Sequence, residues 1–477
     1  MPPILQNVLS AENPSFHLDA SGLAGFFGGQ EAVSAMNTVQ LYTGRRWLGW
    51  YNSPGGYEVA KHYGQLAKSP FWRGFCPGAR IDPAELFGLN AHRNPEFLGV
   101  HTGVIMKDTG HLGHLFFRNM KGMKVKVERV GDRETTPQVV TVVKLKDITL
   151  EYPKKSSTIT PPDSKRSSSL SSVTAVPNEP KYKPVPLTAS IRDLHVLFGS
   201  LIPILSSLVC TILCALHGDW FAFSLILLGM LANGIACCIF GSGRVKINFV
   251  SPPDKSPPGD GLMMLDGSAI IVLGAEKEIY QFTRAHISVE FPDWIKWRDY
   301  SIVGCCSVFS MLQLLAQILL IPQATLFGQI LFLGTLAVSW GYNFMLSAID
   351  KDDLLSRALE KKVWDVDEES VKRYQFPNRT VMAVASLYLL RASNTPLGSG
   401  TTNSNSGISH ILKRLIPNKT PVWLKFKGAV LDVYPETSIP DGKIPIEGLD
   451  IETVPEDQKV IVNNMYEDWR CALQVGK

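Results

Sequence analysis

Four stretches of the chain, Val196 to Leu216, Trp220 to Phe240, Tyr300 to Ile321 and Ala324 to Ile349, are almost continuously apolar and contain no Asp, Glu, Lys or Arg. Each is about 20 residues or longer, the length at which a helix rising roughly 1.5 Å per residue crosses the hydrocarbon core of a bilayer. Only His217-Gly218-Asp219 separates the first pair and only Pro322-Gln323 the second. Neighbouring helices joined by so short a turn lie antiparallel. The pattern therefore predicts an α-helical integral membrane protein with four transmembrane helices in two hairpins, flanked by mixed α+β cytosolic regions.

Outside the spans the pattern is mixed. Residues 1–152 form a loop-rich N-terminal region, with Gly, Pro and aromatics crowded in Gly44-Arg-Arg-Trp-Leu-Gly-Trp-Tyr51 and Phe71-Trp-Arg-Gly-Phe-Cys76 and little sustained periodicity. Near its end, Met123 to Val130 and Val139 to Leu150 alternate in the strand manner and predict a β-hairpin. Residues 153–190 are Ser, Pro and Lys, a composition that buries too little apolar surface to offset chain entropy, so a disordered linker is expected. Residues 191–240 then hold the first transmembrane hairpin and 300–349 the second. Between them, 241–299 is long enough for a small cytosolic subdomain, with strands at Arg244 to Val250 and Ala269 to Leu273 and a helix at Glu276 to Ala285. In the C-terminal region, 350–477, Asp350 to Val363 reads as a charged helix and Thr380 to Leu390 as a core helix too short to span. Val422 to Tyr434 reads as a strand. A last helix from Pro455 places Ile461, Met465, Trp469 and Leu473 on one face.

Charge fixes the expected orientation. Both tight turns lack Lys and Arg, whereas Lys181, Lys183 and Arg192, Arg244 and Lys246, Lys296 and Arg298, and Lys351, Arg357, Lys361 and Lys362 flank the opposite ends. Positive residues stay on the cytosolic side, which puts both termini and the 241–299 loop in the cytosol. Trp294 and Trp297 stand where amphipathic rings favour the headgroup layer. The sequons Asn378-Arg-Thr380 and Asn418-Lys-Thr420 would be glycosylated only in the inverted orientation. The N-terminus carries no basic residue before Arg45, so the first hairpin is expected to direct insertion.

Whole-chain composition adds little, since 45% hydrophobic residues and a mean hydropathy of +0.06 are ordinary for soluble proteins. A net charge of +4 over 477 residues, with no basic stripe, argues against nucleic acid as a partner. The expected partners are the lipid bilayer and cytosolic proteins.

Candidate chemistry is sparse. The polar residues inside the spans are Asn233, Gln313, Gln317, Gln329 and Asn343, read as hydrogen-bonding glue facing one another across the bundle rather than as a permeation path. Gly229, Ala232, Gly234 and Ala236 offer a small surface for close helix packing, and Pro203 a kink in the first helix. Cys237-Cys238 and Cys305-Cys306 fall near the cytosolic interface, where palmitoylation occurs, and equally suit helix packing. Two further cysteines, Cys76 and Cys471, lie in reducing regions, so no disulfides are expected. His101, Asp108, His111 and His114 crowd one stretch as weak metal-ligand candidates without accompanying cysteines. Asp365-Val-Asp367 opens a solvated acidic run. No phosphate-binding loop, nucleophile elbow or zinc-protease motif is present, and neither a catalytic residue nor a cofactor is assigned.

The block from Leu213 through Cys-Ala-Leu-His-Gly-Asp-Trp220 to Cys238 resembles uncharacterised multipass membrane proteins of basidiomycete fungi, which carry no activity to transfer. The expectation is a non-enzymatic membrane protein that presents cytosolic domains for interaction or signalling. Its alternatives are a transporter or channel subunit with an uncharged polar path, and a membrane-bound enzyme.

Overall fold

The computed structural model describes residues 29–42, 44–77, 81–92, 94–131, 135–145, 185–186, 194–253, 256–364, 366–391, 404–433 and 456–475. Nearly all of the expected linker, and Asp365, lie outside them. Along the chain come α1 (Gln30–Asn37), α2 (Gly56–Tyr63), α3 (Pro70–Phe75), α4 (Pro83–Leu86), β1 (Glu96–Gly99), β2 (Ile105–Met106), α5 (Gly110–Gly122), β3 (Val127–Arg129), β4 (Gln138–Lys144) and β5 (Val185–Pro186). There follow α6 (Leu194–Leu216), α7 (Trp220–Phe240), β6 (Arg244–Asn248), β7 (Gly261–Leu265), β8 (Ser268–Leu273), α8 (Glu276–Thr283) and β9 (His286–Glu290). The chain continues with α9 (Asp293–Leu320), α10 (Leu326–Ser347), α11 (Lys351–Leu359), β10 (Val371–Phe376), α12 (Arg379–Arg391), α13 (Ser404–Leu415), α14 (Pro421–Val433) and α15 (Glu456–Ala472). These elements divide into two compact units, residues 1–93, 186–247 and 287–364 in one and 94–185, 248–286 and 365–477 in the other. The N-terminal stretch expected as one region thus parts at residue 93, and the 241–299 loop serves both units.

In the first unit, α6, α7, α9 and α10 are long and apolar enough to cross a membrane. Helix α9 starts earlier than its uncharged stretch, and its backbone leaves helical geometry at Trp297–Tyr300. Three consecutive left-handed non-glycine residues sit there, Arg298, Asp299 and Tyr300, with φ of 46°, 58° and 64°. Left-handed backbone costs about 1–2 kcal/mol per such residue, so the surrounding contacts must hold it. One is plain: the amide of Lys68 donates to the Asp299 carbonyl at 3.0 Å. The uninterrupted apolar helix begins just beyond, at Ser301.

Packing of the four helices departs from two simple hairpins. Helix α6 packs on α7 and α10, and α7 on α9, but α9 and α10 part from their shared turn. Helix α2 lies along α9, α1 lies along α10, and α1 and α2 pack on each other. The N-terminal segment, expected outside the membrane, is a structural member of the bundle. The two tight turns are tied at the far end: the buried Asp219 carboxylate caps α7 through the amide of Ala222 (3.1 Å) and accepts from the amide and hydroxyl of Thr325 (2.8 and 2.6 Å).

The second unit is built on a seven-stranded mixed sheet in the order β2-β1-β7-β8-β4-β10-β3. Strands β3 and β4 do not pair as a hairpin. Strand β10 lies between them, parallel to β3 and antiparallel to β4. The strand signal in this stretch names neither of β4's partners, β8 and β10, the second more than 200 residues later, and β4 is buried on both faces from Val140 to Val143. Strand β8, whose Ala269–Leu273 is buried on both faces, pairs parallel with β4. Strands β6 and β8 and helix α8 match expectation, while β7 and β9 carry no sequence signal that was read. One face of the sheet is covered by α12, α13, α14 and α15, whose Val381, Ile411, Phe426 and Trp469 join Val140, Ile271 and Phe376 in one core. Helix α12 is the expected short core helix, buried nearly all round.

Of Val422 to Tyr434, expected as a strand, Val422 to Val433 belong to helix α14, and Tyr434 lies outside the described residues. The alternation that suggested a strand hid a four-residue period in which Phe426 and Val430 are buried while Leu424 faces out. Lys427 is buried and donates from Nζ to the carbonyls of Ile416 (3.1 Å) and Asn418 (2.6 Å). Burial, with Lys413 and Lys419 nearby, pushes its ammonium below the ordinary lysine value. In the last helix Met465 and Trp469 are buried as expected, but Ile461 is exposed and Val462 takes the inward position.

Candidate functional site

The site that the first unit builds is the path of residues Gln40 to Trp72 through the helix bundle. It enters beside the last turn of α7, where Gln40 Nε2 donates to the Phe240 carbonyl at 3.0 Å. It then runs down α7 one turn at a time: Cys238 Sγ lies 3.4 Å from the Arg46 carbonyl, Asn233 Nδ2 donates to Gly49 at 2.7 Å, and Trp50 lies on Gly234. Its tip reaches Asn52 beside Gly229, midway along α7. The return runs up α9, with Gly56 beside Gln313, Gly64 beside Ser307 and Trp72 over Gly304, its Nε1 donating to Ser301 Oγ at 3.3 Å. Entry and exit lie at the same end of the bundle, so the segment is re-entrant.

Asn52 meets all four long helices. Its amide donates to Ser207 Oγ of α6 (3.1 Å), its Nδ2 to Thr335 Oγ1 of α10 (3.0 Å), and its Oδ1 accepts from Gln317 Nε2 of α9 (3.2 Å) while lying against Gly229 of α7. Beside it, Tyr51 OH donates to Asn343 Oδ1 (3.0 Å) and Asn343 Nδ2 donates to Ser53 Oγ (3.1 Å). Tyr51 also meets Tyr342 edge to face at 5.7 Å. Irregular backbone is stable among apolar helices only when protein groups satisfy it, and these side chains do so.

Four of the five polar residues read from the spans are thereby placed, each against the re-entrant segment. Asn233, Gln317 and Asn343 each bond the re-entrant segment, and Gln313 stands beside Gly56. Gln329 instead turns back to the carbonyl of Ala324 at 3.0 Å. Small residues on α7 and α9 are likewise spent on this segment rather than on helix pairs: a Cβ at Gly229 would overlap Asn52, at Gly234 Trp50, and at Gly304 Trp72.

Sequence reasoning passed over Arg45, which is 4% exposed and donates from Nη1 to the Ala35 carbonyl (2.8 Å) and Thr38 Oγ1 (2.7 Å). A Gly-Arg-Arg-Trp run reads as an exposed loop, and only its partners show otherwise. The cysteine pairs split: Cys237 and Cys306 are buried in helix packing, with Cys237 Sγ 3.9 Å from Met36 Sδ, while Cys238 is half-buried and Cys305 exposed. Cys237 and Cys306 therefore have no room for an acyl chain.

In the second unit, His101 pairs with Asp260 at 3.3 Å, while His111 and His114 lie one turn apart on α5 with ring centroids 6.2 Å apart. The three histidines do not converge as one ligand set. Asn378 of the first sequon is buried, caps α12 through the amide of Val381 (2.9 Å) and donates to Asp468 (2.7 Å), whereas Asn418 of the second is exposed. A groove of about 820 Å³ runs between the β1–β2 edge, the β7–β8 turn and α13, lined by Lys107, Asp266, His410 and Lys413, with Arg414 held by Glu96 at 2.8 Å.

Comparison of the chain with family models, with curated proteins and with solved structures finds no match.

Proposed function

We propose that the protein is a four-pass integral membrane protein whose bundle is closed around the re-entrant segment, and that it acts by presenting its α+β unit to a protein partner in the cytosol. The carrying observation is the pairing of the intramembrane Asn and Gln side chains with residues Gly49 to Gly56. Polar groups that could have lined a path are occupied in holding this segment, which supports a sealed core over a conduction route.

Membrane embedding is supported by the outer faces of the helices, where Phe198, Ile202 and Leu205 of α6, Leu315 and Leu319 of α9 and Phe344 of α10 are exposed. Exposed aromatics mark two levels: Trp220 and Phe221 at the turn end, Phe71, Phe75, Trp294 and Trp297 at the other. That second end carries the Lys and Arg residues, which supports its facing the cytosol together with the segment's entry and exit. The groove bearing Lys107, His410 and Lys413 supplies a face for a partner with acidic groups.

Two measurements test the reading together. The full chain is expected to stay in the pellet after alkaline carbonate extraction, and recovery in the supernatant overturns the membrane assignment. Partners retained in mild detergent are expected to be lost from Lys107→Glu/Lys413→Glu protein of normal abundance. Unchanged partner recovery with that variant removes the groove from the proposal.

A further inference from the structure

Beside the re-entrant tip the bundle encloses a cavity of about 20 Å³, lined among others by Arg45, Ser53, Asn233, Ser310, Gln313 and Asn343. That is room for one water molecule or one ion of comparable size. Its wall is rich in hydrogen-bond donors and holds no Asp or Glu. Gly56 also lines it, and there α2 begins with Gly55 at its N-cap and no side-chain cap, so the positive end of the helix meets the cavity.

The guanidinium of Arg45 is the second and independent observation. It is 4% exposed, its Nη1 is bound to a carbonyl and a hydroxyl, and its Nε has no hydrogen-bond partner among the described residues. Among the described residues, its hydrogen-bond partners Ala35 and Thr38 are neutral. Arginine does not shed its proton in proteins, so among apolar helices this charge calls for an opposite one. We propose that the cavity binds a single monoatomic anion, a halide of the chloride class, which neutralises Arg45 and locks the re-entrant segment onto α7 and α9. Its function would be structural and regulatory, tying the stability of the bundle to anion concentration.

The test uses the full chain in detergent or nanodiscs at constant ionic strength, with sodium chloride or bromide replacing sodium gluconate, whose anion is too large for the cavity. Thermal unfolding is expected to rise by several degrees and to saturate with halide. Arg45→Met is expected to abolish the halide dependence, and Arg45→Lys, which keeps the charge, to retain part of it. Should Arg45→Met fail to fold, chloride-35 line broadening on the unmodified protein decides: saturable broadening that bromide displaces supports the site. Equal melting in gluconate and halide at every concentration, absence of saturable broadening, or an unchanged halide response in Arg45→Met overturns it and leaves the cavity to water.

Discussion

Asn52 and Trp469 are the central residues of their units, 0% and 1% exposed, and they are held by opposite physics. Trp469 lies in an apolar core with Phe426 and Met465, its ring edge to face with Phe426 at 5.8 Å. Removing such a side chain from water drives folding at about 25 cal/mol per Å². Asn52 sits among helices whose outer faces are as apolar as their inner ones, and lipid gives no hydrophobic reason to prefer the inside. What distinguishes inside from outside there is hydrogen bonding and close fit: Ser207, Gln317 and Thr335 each meet Asn52 of the re-entrant segment, and Gly229 leaves room for it. The helical unit thus has a polar core beneath an apolar surface, while the sheet unit has the reverse.

Breaking the polar centre should give the largest effect. Asn52→Leu removes one partner each of Gln317 and Thr335, leaving them the carbonyls of Leu225 and Phe332, and drives a branched side chain against Gly229. Each buried polar group left unpaired costs about 1–3 kcal/mol, and overpacking adds about as much again, for a total of about 5 kcal/mol. The segment is expected to leave the bundle, read as new thiol labelling of buried Cys237. Gly229→Leu, which keeps Asn52 but overlaps its side chain, should produce the same labelling by steric exclusion. Persistent protection of Cys237 in both would mean that the tip does not hold the segment.

The apolar centre should respond next. Trp469→Ala opens a cavity among Phe426, Tyr388 and Met465 and is expected to cost about 4 kcal/mol. Limited proteolysis should then cut within 404–475 while residues 194–347 stay protected. Loss of protection in both places would contradict the separation into two units.

The same contrast explains what the chain disclosed in advance. An uncharged run of about 20 apolar residues bounded by short turns reads as one long helix, so the four helices were legible to within a few residues at most ends. Helix α12 was legible for the same reason, being apolar all round and too short to span. The re-entrant segment was not, because Gly49-Trp-Tyr-Asn-Ser-Pro-Gly55 has the composition of any turn. Its stability resides in partners 155 to 292 residues away, as with Ser207 and Asn343. Asn233, Gln313, Gln317 and Asn343 stand out as polar residues within apolar runs, but hydrogen-bonding capacity does not name its partner. Helix α14 failed differently: over a few residues a period of 2.0 and one of 3.6 place the same side chains together, and Lys427 gave no hint that carbonyls awaited it.

At the far end of the bundle the two tight turns offer an intermediate case, a charged group used as a clasp. Asp219→Ala strips the acceptor from Ala222, Thr325 N and Thr325 Oγ1, of which the Thr325 groups join one turn to the other. Hydrogen bonds to a charged acceptor contribute about 1.5–3 kcal/mol, and relaxation into the small space left limits the expected loss to about 3 kcal/mol. Asp219→Asn, which keeps the shape and one acceptor oxygen, should recover roughly half of it in thermal melts. Equal losses in the two variants would assign the effect to charge rather than to hydrogen bonding.

The smallest effect is expected where water returns, at the charged edge beyond α9. Glu290 pairs with Lys246 and, at 3.5 Å, with Lys296, and its carboxyl is held below the ordinary glutamate value, first by the hydrogen bond from Lys246 and then by both ammonium charges. A carboxyl whose value is lower folded than unfolded binds protons more readily in the unfolded chain. Its contribution is therefore complete above the unfolded value, near 4.5, and is lost as pH falls through the folded one. Because the carboxylate is about half exposed, screening limits it to about 0.5 kcal/mol, and salt should erode it further. The protein is thus expected to melt slightly earlier at pH 3.5 than at pH 6, with Glu290→Gln removing only that small part of the difference. If Glu290→Gln removed most of it, the pair would be shielded from water as Asn52 is, and the contrast between polar centre and polar edge would fail.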